Sequence, residues 1–283
     1  MIAYLIMMHR YPNQFKRLFK AIYHPDNCYI IHIDEKSDSN IKAELSKFLN
    51  DYPNVSLLKS EKAIWGGYSL VDIELRGIAE LLKKSNTWQF FINLSGQDFP
   101  LKSQEYIFNF LKEHKDTDFL KVSDQAKLRP NTLHRIENYF IETDDHVIAT
   151  NTTVSKREFL KDATPYIGNQ WMILTRKFCE FVTHNKEVKR FKAFYKNTLI
   201  ADESFFQTVI MNTSYKNNLV NTDKRFIDWI PMGTIKLRPR DLITEDAKSL
   251  TDSKNLFARK FDENTDSAIL GILEQHITNT VVA

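Results

Sequence analysis

The sequence describes an ordinary globular protein, because its 283 residues are 42% hydrophobic and 12% aromatic and can bury one large core. Its 39 basic and 36 acidic residues are interspersed and leave a net charge of +3, which excludes the broad positive field of a typical nucleic-acid-binding protein. Cys28 and Cys179 lie in apolar segments, and the apolar residues 2–8 are too few to cross a membrane. We therefore expect buried, reduced thiols in a cytoplasmic protein, with at most peripheral association with the inner face of the membrane.

Residues 1–100 predict an α/β fold, because short β-rich runs alternate with helical patterns. Apolar residues recur with helical spacing over 15–22 and 41–48, and a longer helix is predicted over 69–84. The predicted strands are 3–8, 29–33, 55–58 and 89–94. This order favours a Rossmann-like mixed sheet, mainly parallel, with helices on its flanks.

The rest of the chain gives weaker patterns. Residues 103–165 are polar and irregular apart from a short strand over 119–122, and we interpret them as loops that shape an acceptor groove. The elements predicted after them are a strand over 170–174, helices over 177–183 and 202–212, and a strand over 225–229. No repeat, low-complexity segment or linker interrupts the sequence, so one continuous domain is predicted.

Polar residues follow three of the predicted strands where each strand ends. They are His9-Arg10, Asp34-Glu35 and Ser95-Gly96-Gln97-Asp98. Ligands of open α/β sheets bind beyond the carboxyl ends of the strands, so these segments should converge on a nucleotide site. The sequence has neither a Gly-x-Gly-x-x-Gly fingerprint nor a P-loop, which excludes the common dinucleotide and P-loop sites.

No metal site is predicted from the sequence. Enzymes that use nucleotide sugars often hold a divalent metal on two acids just after an interior strand, but here that position reads Ser95-Gly96-Gln97-Asp98. The acids of Asp116-Thr117-Asp118 follow a charged helix end, and we interpret them as a solvated turn. The eight histidines show no zinc-binding spacing.

A diphosphate that leaves without a metal needs cationic side chains to take up its charge. Phe257-Ala258-Arg259-Lys260-Phe261 offers two adjacent cations between aromatic residues, and Arg238 and Arg240 are further candidates. By itself, an Arg-Lys pair in such a setting is also typical of a helix surface with solvated charges. The functional interpretation therefore depends on the other motifs.

Two of those motifs also allow a structural and a functional interpretation. In Ile64-Trp65-Gly66-Gly67, the tryptophan can stack on a sugar while the glycines allow close approach, or the segment is a packed turn. In Asp202-Glu203, at the start of a predicted helix, Asp202 fits an N-cap. Glu203 fits either a first-turn acid or a catalytic base.

Six segments carry a family resemblance. They are Phe19-Lys20-Ala21-Ile22-Tyr23-His24 with Tyr29-Ile30-Ile31-His32-Ile33-Asp34, then Ile64-Trp65-Gly66-Gly67, Phe90-Phe91-Ile92-Asn93-Leu94-Ser95-Gly96-Gln97-Asp98-Phe99-Pro100, Asp202-Glu203-Ser204-Phe205-Phe206 and Phe257-Ala258-Arg259-Lys260-Phe261. In this order they resemble the core-2/I-branching β-1,6-N-acetylglucosaminyltransferase and peptide O-xylosyltransferase family, most closely its xylosyltransferase branch. The resemblance spans nearly the whole chain.

The resemblance implies a GT-A-type fold, no metal-binding acid pair, and transfer of a sugar from a UDP donor with inversion of configuration. By the same carry-over, Glu203 is the general base, Arg259 and Lys260 meet the donor diphosphate, and Asp34 lies near the nucleoside. Arg240 aligns less cleanly. Residues 1–100 then form the nucleotide-binding half, and residues 101–283 form the acceptor-binding and catalytic half with the diphosphate segment near its end.

The remaining site residues are assigned with these. His9, Arg238 and Arg240 are placed on the donor side with Asp34, Arg259 and Lys260, and Trp65, Gly66, Asp98, Trp171 and Asp202 are placed on the acceptor or sugar side. We expect Asp202 to cap the helix and aim Glu203.

The sequence thus predicts an inverting, metal-independent glycosyltransferase without a cofactor, which moves GlcNAc or xylose from a UDP-sugar to a hydroxyl of a glycan or glycolipid acceptor. The chain lacks the membrane anchor, stem and disulfide cysteines of the animal Golgi members, which favours a bacterial-type relative acting on an envelope glycan. Two alternatives are a noncatalytic sugar- or nucleotide-binding module of the same fold and a glycoside hydrolase. A hydrolase needs two carboxylates that face each other across a bond, which sequence neighbours on a helix do not.

Overall fold

The computed structural model describes residues 1–150, 161–232 and 236–279. The strands in these ranges are β1 (Ile2–Met8), β2 (Cys28–Ile33), β3 (Val55–Leu57), β4 (Phe90–Ser95), β5 (Asp98–Pro100), β6 (Asp118–Leu120), β7 (Ser123–Asp124), β8 (Tyr139–Glu142), β9 (Val147–Thr150), β10 (Tyr166–Ile167), β11 (Met172–Thr175), β12 (Leu219–Val220), β13 (Arg225–Ile227), β14 (Trp229–Met232), β15 (Lys236–Pro239) and β16 (Phe257–Arg259). The α-helices are α1 (Pro12–Ile22), α2 (Ser39–Leu49), α3 (Ser69–Lys84), α4 (Gln104–Glu113), α5 (Gln125–Leu128), α6 (His134–Glu137), α7 (Arg176–His184), α8 (Val188–Tyr195), α9 (Phe205–Met211), α10 (Ala247–Thr251) and α11 (Ala268–Asn279). Short 3₁₀ turns cover Pro130–Thr132, Ala201–Glu203, Ser214–Asn218 and Thr244–Asp246.

A seven-stranded mixed sheet lies at the centre of the fold, with the strand order β12-β6-β11-β4-β1-β2-β3. Neighbouring strands are parallel except at β11, which runs antiparallel to both β4 and β6. Helices α1 and α2 connect β1 to β2 and β2 to β3, as expected where parallel strands need crossover connections. The predicted Rossmann-like mixed sheet flanked by helices is confirmed.

Apolar helix faces cover both sides of this sheet. The spacing that predicts α1 reflects its core face, since Phe15, Leu18, Phe19 and Ile22 are all buried. Helices α1, α2 and α11 pack on one side of the sheet, and α3, α7, α8 and α9 pack on the other. The sheet is therefore enclosed on both faces, and only its strand ends and edges are open to a ligand.

Most predicted elements are confirmed to within two residues at each end, and α3 has the predicted bounds. The thiols differ from expectation in one respect, because Cys179 is buried but Cys28 is only partly so; both are free. No helix among the described residues is long and apolar enough to span a membrane.

The middle of the chain corrects the interpretation of residues 103–165 as irregular loops. This segment contains α4 and the β8–β9 hairpin, which the sequence does not predict. The short strand predicted over 119–122 is confirmed as β6, an interior strand of the central sheet. Asp118, expected in a solvated turn, begins β6 and is buried, and its Oδ1 accepts the Thr175 amide at 2.6 Å. Residues 151–160, which belong to the predicted loops, lie outside the described residues.

Smaller sheets bring the C-terminal part of the chain back to the centre. Strands β13, β16 and β5 form a three-stranded sheet in which Arg259 lies opposite Asp98 on one side and Ile227 on the other. Strands β14 and β15 form a separate two-stranded ribbon. The predicted diphosphate segment is thereby placed at the end of β4.

Candidate active site

The three polar strand ends converge as predicted. The Asp34 amide donates to the Met8 carbonyl at 2.9 Å, and the Gly96 amide donates to the Met7 carbonyl at 2.9 Å. His9-Arg10 therefore lies between the turn after β2 and the turn after β4. A ligand above this edge of the sheet would meet all three segments.

Asp34 is held rigidly at this edge. It is buried, and its Oδ1 accepts the Lys36 amide at 2.8 Å while its Oδ2 accepts the Ala63 amide at 3.3 Å. The carboxylate thus ties the end of β2 to the segment that precedes Trp65. The two partner amides fix the position of the carboxylate.

Arg259 is oriented by two residues that we assigned to the acceptor side. Its Nη1 donates to Asp98 Oδ1 at 2.8 Å, and its guanidinium carbon lies 4.4 Å from the centre of the Trp171 ring. Asp98 is completely buried, its Oδ2 accepts the Ser95 amide at 2.9 Å, and Trp171 is also buried. Neither side chain is open to a sugar, which argues against the acceptor-side assignment of Asp98 and Trp171, and both contact Arg259 instead.

A cluster of cations surrounds Arg259. Burial lowers the pKa of Lys260, and the nearby charges of Arg10 and Arg259 lower it further, against the opposing effect of Asp241, which lies 3.7 Å away. The pKa of His9 is also lowered, by burial and by Arg10, Arg259 and Lys260, with Asp34 opposing. Concentrated positive charge of this kind is suited to a diphosphate.

Arg10 belongs to this cluster, although we did not assign it a role from the sequence. Its Nη2 donates to Gln97 Oε1 at 3.0 Å, and its guanidinium lies 4.7 Å from the centre of the Tyr11 ring. Gln97 in turn bonds through Nε2 to the Phe261 carbonyl at 2.9 Å. The sequence signal for Arg10 was its position just after β1, next to His9, which we did assign to the donor side.

The other two arginines that we assigned to the donor side differ from Arg259 in their partners and exposure. Arg240 is bonded to Asp228 at 2.6 Å and to both carboxylate oxygens of Asp246 at 2.7 and 2.6 Å. Its charge is already compensated by two acids, so the structure gives it a bracing position. Arg238 is exposed on β15, in the ribbon.

Glu203 lies in the 3₁₀ turn Ala201–Glu203, just before α9. Three segments hold this turn: the Leu199 amide donates to the Arg135 carbonyl at 2.9 Å, the Ile200 amide to the Gly66 carbonyl at 2.7 Å, and the Gly168 amide to the Glu203 carbonyl at 2.7 Å. Ile200 has φ +55°, a strained value for a β-branched residue that persists only where the surroundings impose it.

The Glu203 side chain is partly buried and paired. Its Oε2 accepts a hydrogen bond from Arg135 Nη1 at 2.9 Å, and 26% of the side chain is exposed. Burial raises the pKa of Glu203, while Arg135 and, less strongly, Arg129 oppose the rise. An anionic carboxylate with raised basicity and a solvent-facing part can accept a proton from a bound hydroxyl.

Asp202 does not cap the helix, which corrects its predicted role. The helix α9 begins after Ser204 without a side-chain cap, and Asp202 is buried within the preceding turn. No described residue donates a hydrogen bond to its Oδ1. Burial raises the pKa of Asp202, and the Glu203 charge raises it further.

A buried polar network connects the Glu203 side of the site to the cation cluster. Glu74 Oε1 accepts hydrogen bonds from Asn93 at 2.8 Å and Gln170 at 3.2 Å, and burial followed by the Asp202 charge raises the pKa of Glu74. Arg225 Nη2 donates to the Asn93 carbonyl at 2.7 Å. The charges of Asp98 and Arg259 act on the buried Arg225, so this network is coupled electrostatically to the cation cluster.

The segment around Trp65 lies against the Glu203 turn. Trp65 is 70% exposed, and Gly66 has φ +79°, a value that favours glycine. The Gly67 position is crowded, because a Cβ there would lie 2.4 Å from the Glu142 carboxyl carbon. Trp65 and Gly66 therefore remain candidates for contact with an acceptor, beside the proposed base.

Comparison with known proteins agrees with these features. A family model described as Core-2/I-Branching enzyme matches residues 2–251. A xylosyltransferase of Ciona intestinalis is 31% identical over 292 residues, covering 96% of this chain and 34% of that protein. Xylosyltransferase 2 of Homo sapiens is 32% identical over 297 residues, covering 98% of this chain and 33% of that protein. The chain thus spans about a third of the length of these relatives.

Among solved structures, mouse xyloside xylosyltransferase 1 is similar with a TM-score of 0.41 and 10% identity, over 80% of this chain and 88% of that one. The GT-A-type fold expected from the resemblance agrees with the seven-stranded mixed sheet of this chain.

Proposed function

Because the chain belongs to the Core-2/I-branching enzyme family, we propose that it transfers a sugar from a UDP-sugar to an acceptor hydroxyl with inversion of configuration. The observation that carries this proposal is that the chain has both a partly buried carboxylate, Glu203, and a separate cluster of cations at the strand ends. A base on one side and a diphosphate site on the other are the two parts that direct displacement requires.

On the donor side, Arg259, Lys260 and Arg10 bind the diphosphate, and Asp34 lies near the nucleoside. Xylose and GlcNAc are the proposed sugars. The names of the relatives at about 31% identity favour xylose. Negative charge grows on the diphosphate as it leaves, so cations fixed by buried partners stabilise the transition state more than the bound donor.

On the acceptor side, Glu203 removes the proton of the hydroxyl whose oxygen attacks the anomeric carbon. The new bond forms on the face opposite UDP as the bond to the diphosphate oxygen breaks. The electron pair of that bond leaves with UDP, and the proton stays on Glu203 until solvent takes it. Trp65 and Gly66, which adjoin the Glu203 turn, are proposed to contact the acceptor.

We propose that transfer needs no divalent metal and no other cofactor. Asp98 is the carboxylate that follows β4, and its two oxygens already accept hydrogen bonds from Arg259 and the Ser95 amide. Protein cations would then compensate the diphosphate charge in place of a metal ion.

The acceptor is proposed to be a glycan or glycolipid of a bacterial surface, reached from a cytoplasmic or peripheral location. The noncatalytic module remains the second candidate. The hydrolase is disfavoured, because Asp202 is buried and its neighbour Glu203 is held by Arg135 rather than facing it across a cleft.

Replacing Glu203 by Gln tests the proposal. We expect turnover to fall by roughly a hundredfold or more, the usual scale for loss of a general base, with UDP binding unchanged. The measurement is release of UDP from UDP-xylose and UDP-GlcNAc in the presence of glycan acceptors. Glu137→Gln, which changes an exposed glutamate on α6, is the matched control.

Near-full activity of the Gln variant would show that Glu203 is not the base. A wild-type protein that binds UDP but transfers neither sugar would favour the noncatalytic module.

A further inference from the structure

Glu74 is a buried carboxyl group that the proposed mechanism does not use. It lies on the face of α3 that packs into the core, where Val71, Leu75 and Ile78 are also buried. Burial of a carboxyl group among apolar side chains opposes folding unless the group is hydrogen-bonded and uncharged. A glutamate at this position therefore lowers stability relative to an apolar residue, which indicates a specific role.

One oxygen of Glu74 holds the residues just before β11. Glu74 Oε1 accepts hydrogen bonds from Asn93 Nδ2 at 2.8 Å and from Gln170 Nε2 at 3.2 Å. Asn93 Nδ2 also donates to the Gln170 carbonyl at 3.0 Å. Both the side chain and the backbone of Gln170 are thus tied to Glu74 and Asn93.

Residues 168–170 in turn hold the turn that carries Glu203. The Gly168 amide donates to the Glu203 carbonyl at 2.7 Å. Gly168 is tightly packed, because a Cβ there would lie 1.8 Å from the Lys121 carbonyl oxygen. A path of hydrogen bonds through a short, tightly packed segment therefore runs from Glu74 to the backbone of Glu203.

The charges near Glu74 favour its uncharged form. Asp202 lies in the 3₁₀ turn that packs against α3, and burial followed by the Asp202 charge raises the pKa of Glu74 well above its usual range. Glu203 and Arg135 act on Asp202, and Arg135 and Arg129 act on Glu203. Glu74 Oε2 is buried and forms no hydrogen bond with any described residue, so it can carry the proton while Oε1 accepts.

We propose that Glu74 is a positioning residue: as an uncharged hydrogen-bond acceptor it fixes residues 168–170 and thereby holds the carboxylate of Glu203 against Arg135. This inference rests on the proposed role of Glu203 as the base. A base must lie within hydrogen-bond reach of the hydroxyl that it deprotonates, so even a small displacement of its turn slows transfer.

Kinetics of variants on both sides of the contact test the proposal. Glu74→Met keeps a side chain of similar size and removes the acceptor. We expect kcat for transfer to fall roughly tenfold, with the KM for the donor unchanged, and Gln170→Leu should act similarly. Because both changes break one contact, the double variant should lose little more than Glu74→Met alone. Glu74→Gln restores an uncharged acceptor and should recover the kcat and the pH profile of the wild type.

The pKa of Glu203 gives a readout that does not depend on transfer. It can be measured by ¹³C NMR of the glutamate carboxyl groups, with the signal assigned by Glu203→Gln. In Glu74→Met and in Gln170→Leu it should rise by roughly half a unit or more, because the displaced carboxylate loses part of the attraction of Arg135. In Glu74→Gln it should stay at the value of the wild type.

Trp88→Phe is the control for a purely structural effect. It removes another buried hydrogen bond of α3, the one that Trp88 Nε1 donates to the Leu81 carbonyl at 3.0 Å, near the other end of the helix. This variant should have a lower free energy of unfolding, with kcat and the pKa of Glu203 unchanged.

Two outcomes overturn the proposal. One is a kcat and a Glu203 pKa that stay at the values of the wild type in Gln170→Leu, a variant of a partly exposed residue that decides the question even if Glu74→Met does not fold. The other is a Glu74→Gln variant with a changed pH profile, since Glu74 would then act through its charge. A wild-type chain that transfers no sugar would contradict the proposed function alone, because the pKa of Glu203 still reports on its positioning.

Discussion

Two opposing influences act on the carboxyl group of Glu203. Burial raises its pKa, and the guanidinium groups of Arg135 and Arg129 oppose that rise. Burial prevails, so Glu203 is more basic than an exposed glutamate, while the 2.9 Å bond from Arg135 favours the ionised form. A general base is most effective when its pKa approaches the working pH, so this balance favours proton removal from a hydroxyl.

Replacing Arg135 by Gln should move the acid limb of the activity profile to higher pH. Glu203 must be ionised to accept a proton, so activity falls as the pH drops through its pKa. Removing an opposite charge in direct contact typically raises a carboxyl pKa by roughly one to three units. The measurement is kcat/KM for transfer across a pH series.

Arg17→Gln is the control for this experiment, because Arg17 forms a similar pair with Glu274 at 2.7 Å, away from the site. Its profile should match that of the wild type. Asp202→Asn, tested separately, removes the titration of the neighbouring buried carboxyl group. An acid limb that stays in place without Arg135 contradicts the role given to the pair.

Helices and strands could be predicted from local sequence where burial of one face gives the apolar residues a regular spacing. The strands β1, β2 and β4 and the helices α1 and α3 have continuous buried runs or faces, and the sequence predicts them closely. The short strands of the middle segment are held by pairing with distant strands, as β6 is by β11 and β12. Such elements are too short to show a period, so the sequence predicts β6 only as a short strand over 119–122 and misses the β8–β9 hairpin.

In the candidate site too, some features have a local sequence signal and others depend on contacts between distant residues. The convergence of His9, Asp34 and the turn after β4 follows from a general property of parallel sheets, so it could be predicted. Arg135 bonds to Glu203 across 68 residues, and the Glu74–Asn93 bond depends on two elements packed together, so neither partner shows a local signal. Asp202 was misassigned as a cap because the left-handed backbone at Ile200 starts a 3₁₀ turn before the helix.

Docking of the β8–β9 hairpin on α3 requires a glycine at position 67. Glu142 Oε2 accepts the Ser69 amide at 3.0 Å at the start of α3, and the carboxyl group lies where a Cβ of residue 67 would be. Gly67→Ala should displace this carboxylate and lower the free energy of unfolding by about 1–2 kcal/mol, the scale of a carboxylate bond at a helix N-terminus. Chemical denaturation measures the change.

In the Glu142→Ala background, the same Gly67→Ala change should cost much less, because the carboxylate that it displaces is already gone. Gly271→Ala on α11 is the contrasting glycine, since its Cβ would meet only Arg17 Nη2, at 3.6 Å, and should not destabilise the fold. Additive effects of the Gly67 and Glu142 changes would argue against the proposed contact.

For the whole molecule, buried carboxyl groups make stability depend on pH. Burial raises the pKa of Asp118 to about 7, so the folded state binds its proton more tightly than the unfolded chain does. The stabilisation is complete below the unfolded pKa of about 3.9 and is lost as the pH rises through about 7. Glu74 and Asp202, whose pKa values are also raised, act in the same direction.

Asp118→Asn keeps the oxygen that accepts the Thr175 amide and removes the titration. We compare the free energy of unfolding of the variant with that of the wild type at low and at alkaline pH. This difference should shift in favour of the variant by on the order of 2–4 kcal/mol between the two pH values, because only the wild type loses the contribution of the bound proton. Urea unfolding at both pH values measures this difference. Asp116→Asn, an exposed acid just before β6, should leave the pH dependence of the wild type intact. If Asp118→Asn loses as much stability as the wild type between low and alkaline pH, Asp118 is not the source of that loss.

Ligand binding provides the last prediction for the whole molecule, because a ligand that binds only the folded state raises its thermal midpoint. UDP at roughly tenfold its Kd should raise Tm by about 2–4 °C, with or without EDTA if protein cations alone hold the diphosphate. Lys260→Ala should reduce this shift. Lys59→Ala should preserve it, because Lys59, two residues after β3, is 84% exposed and outside the cluster of Arg10, Arg259 and Lys260. A shift that disappears in EDTA and returns with manganese would mean that a metal ion, rather than the cluster of Arg10, Arg259 and Lys260, carries the diphosphate.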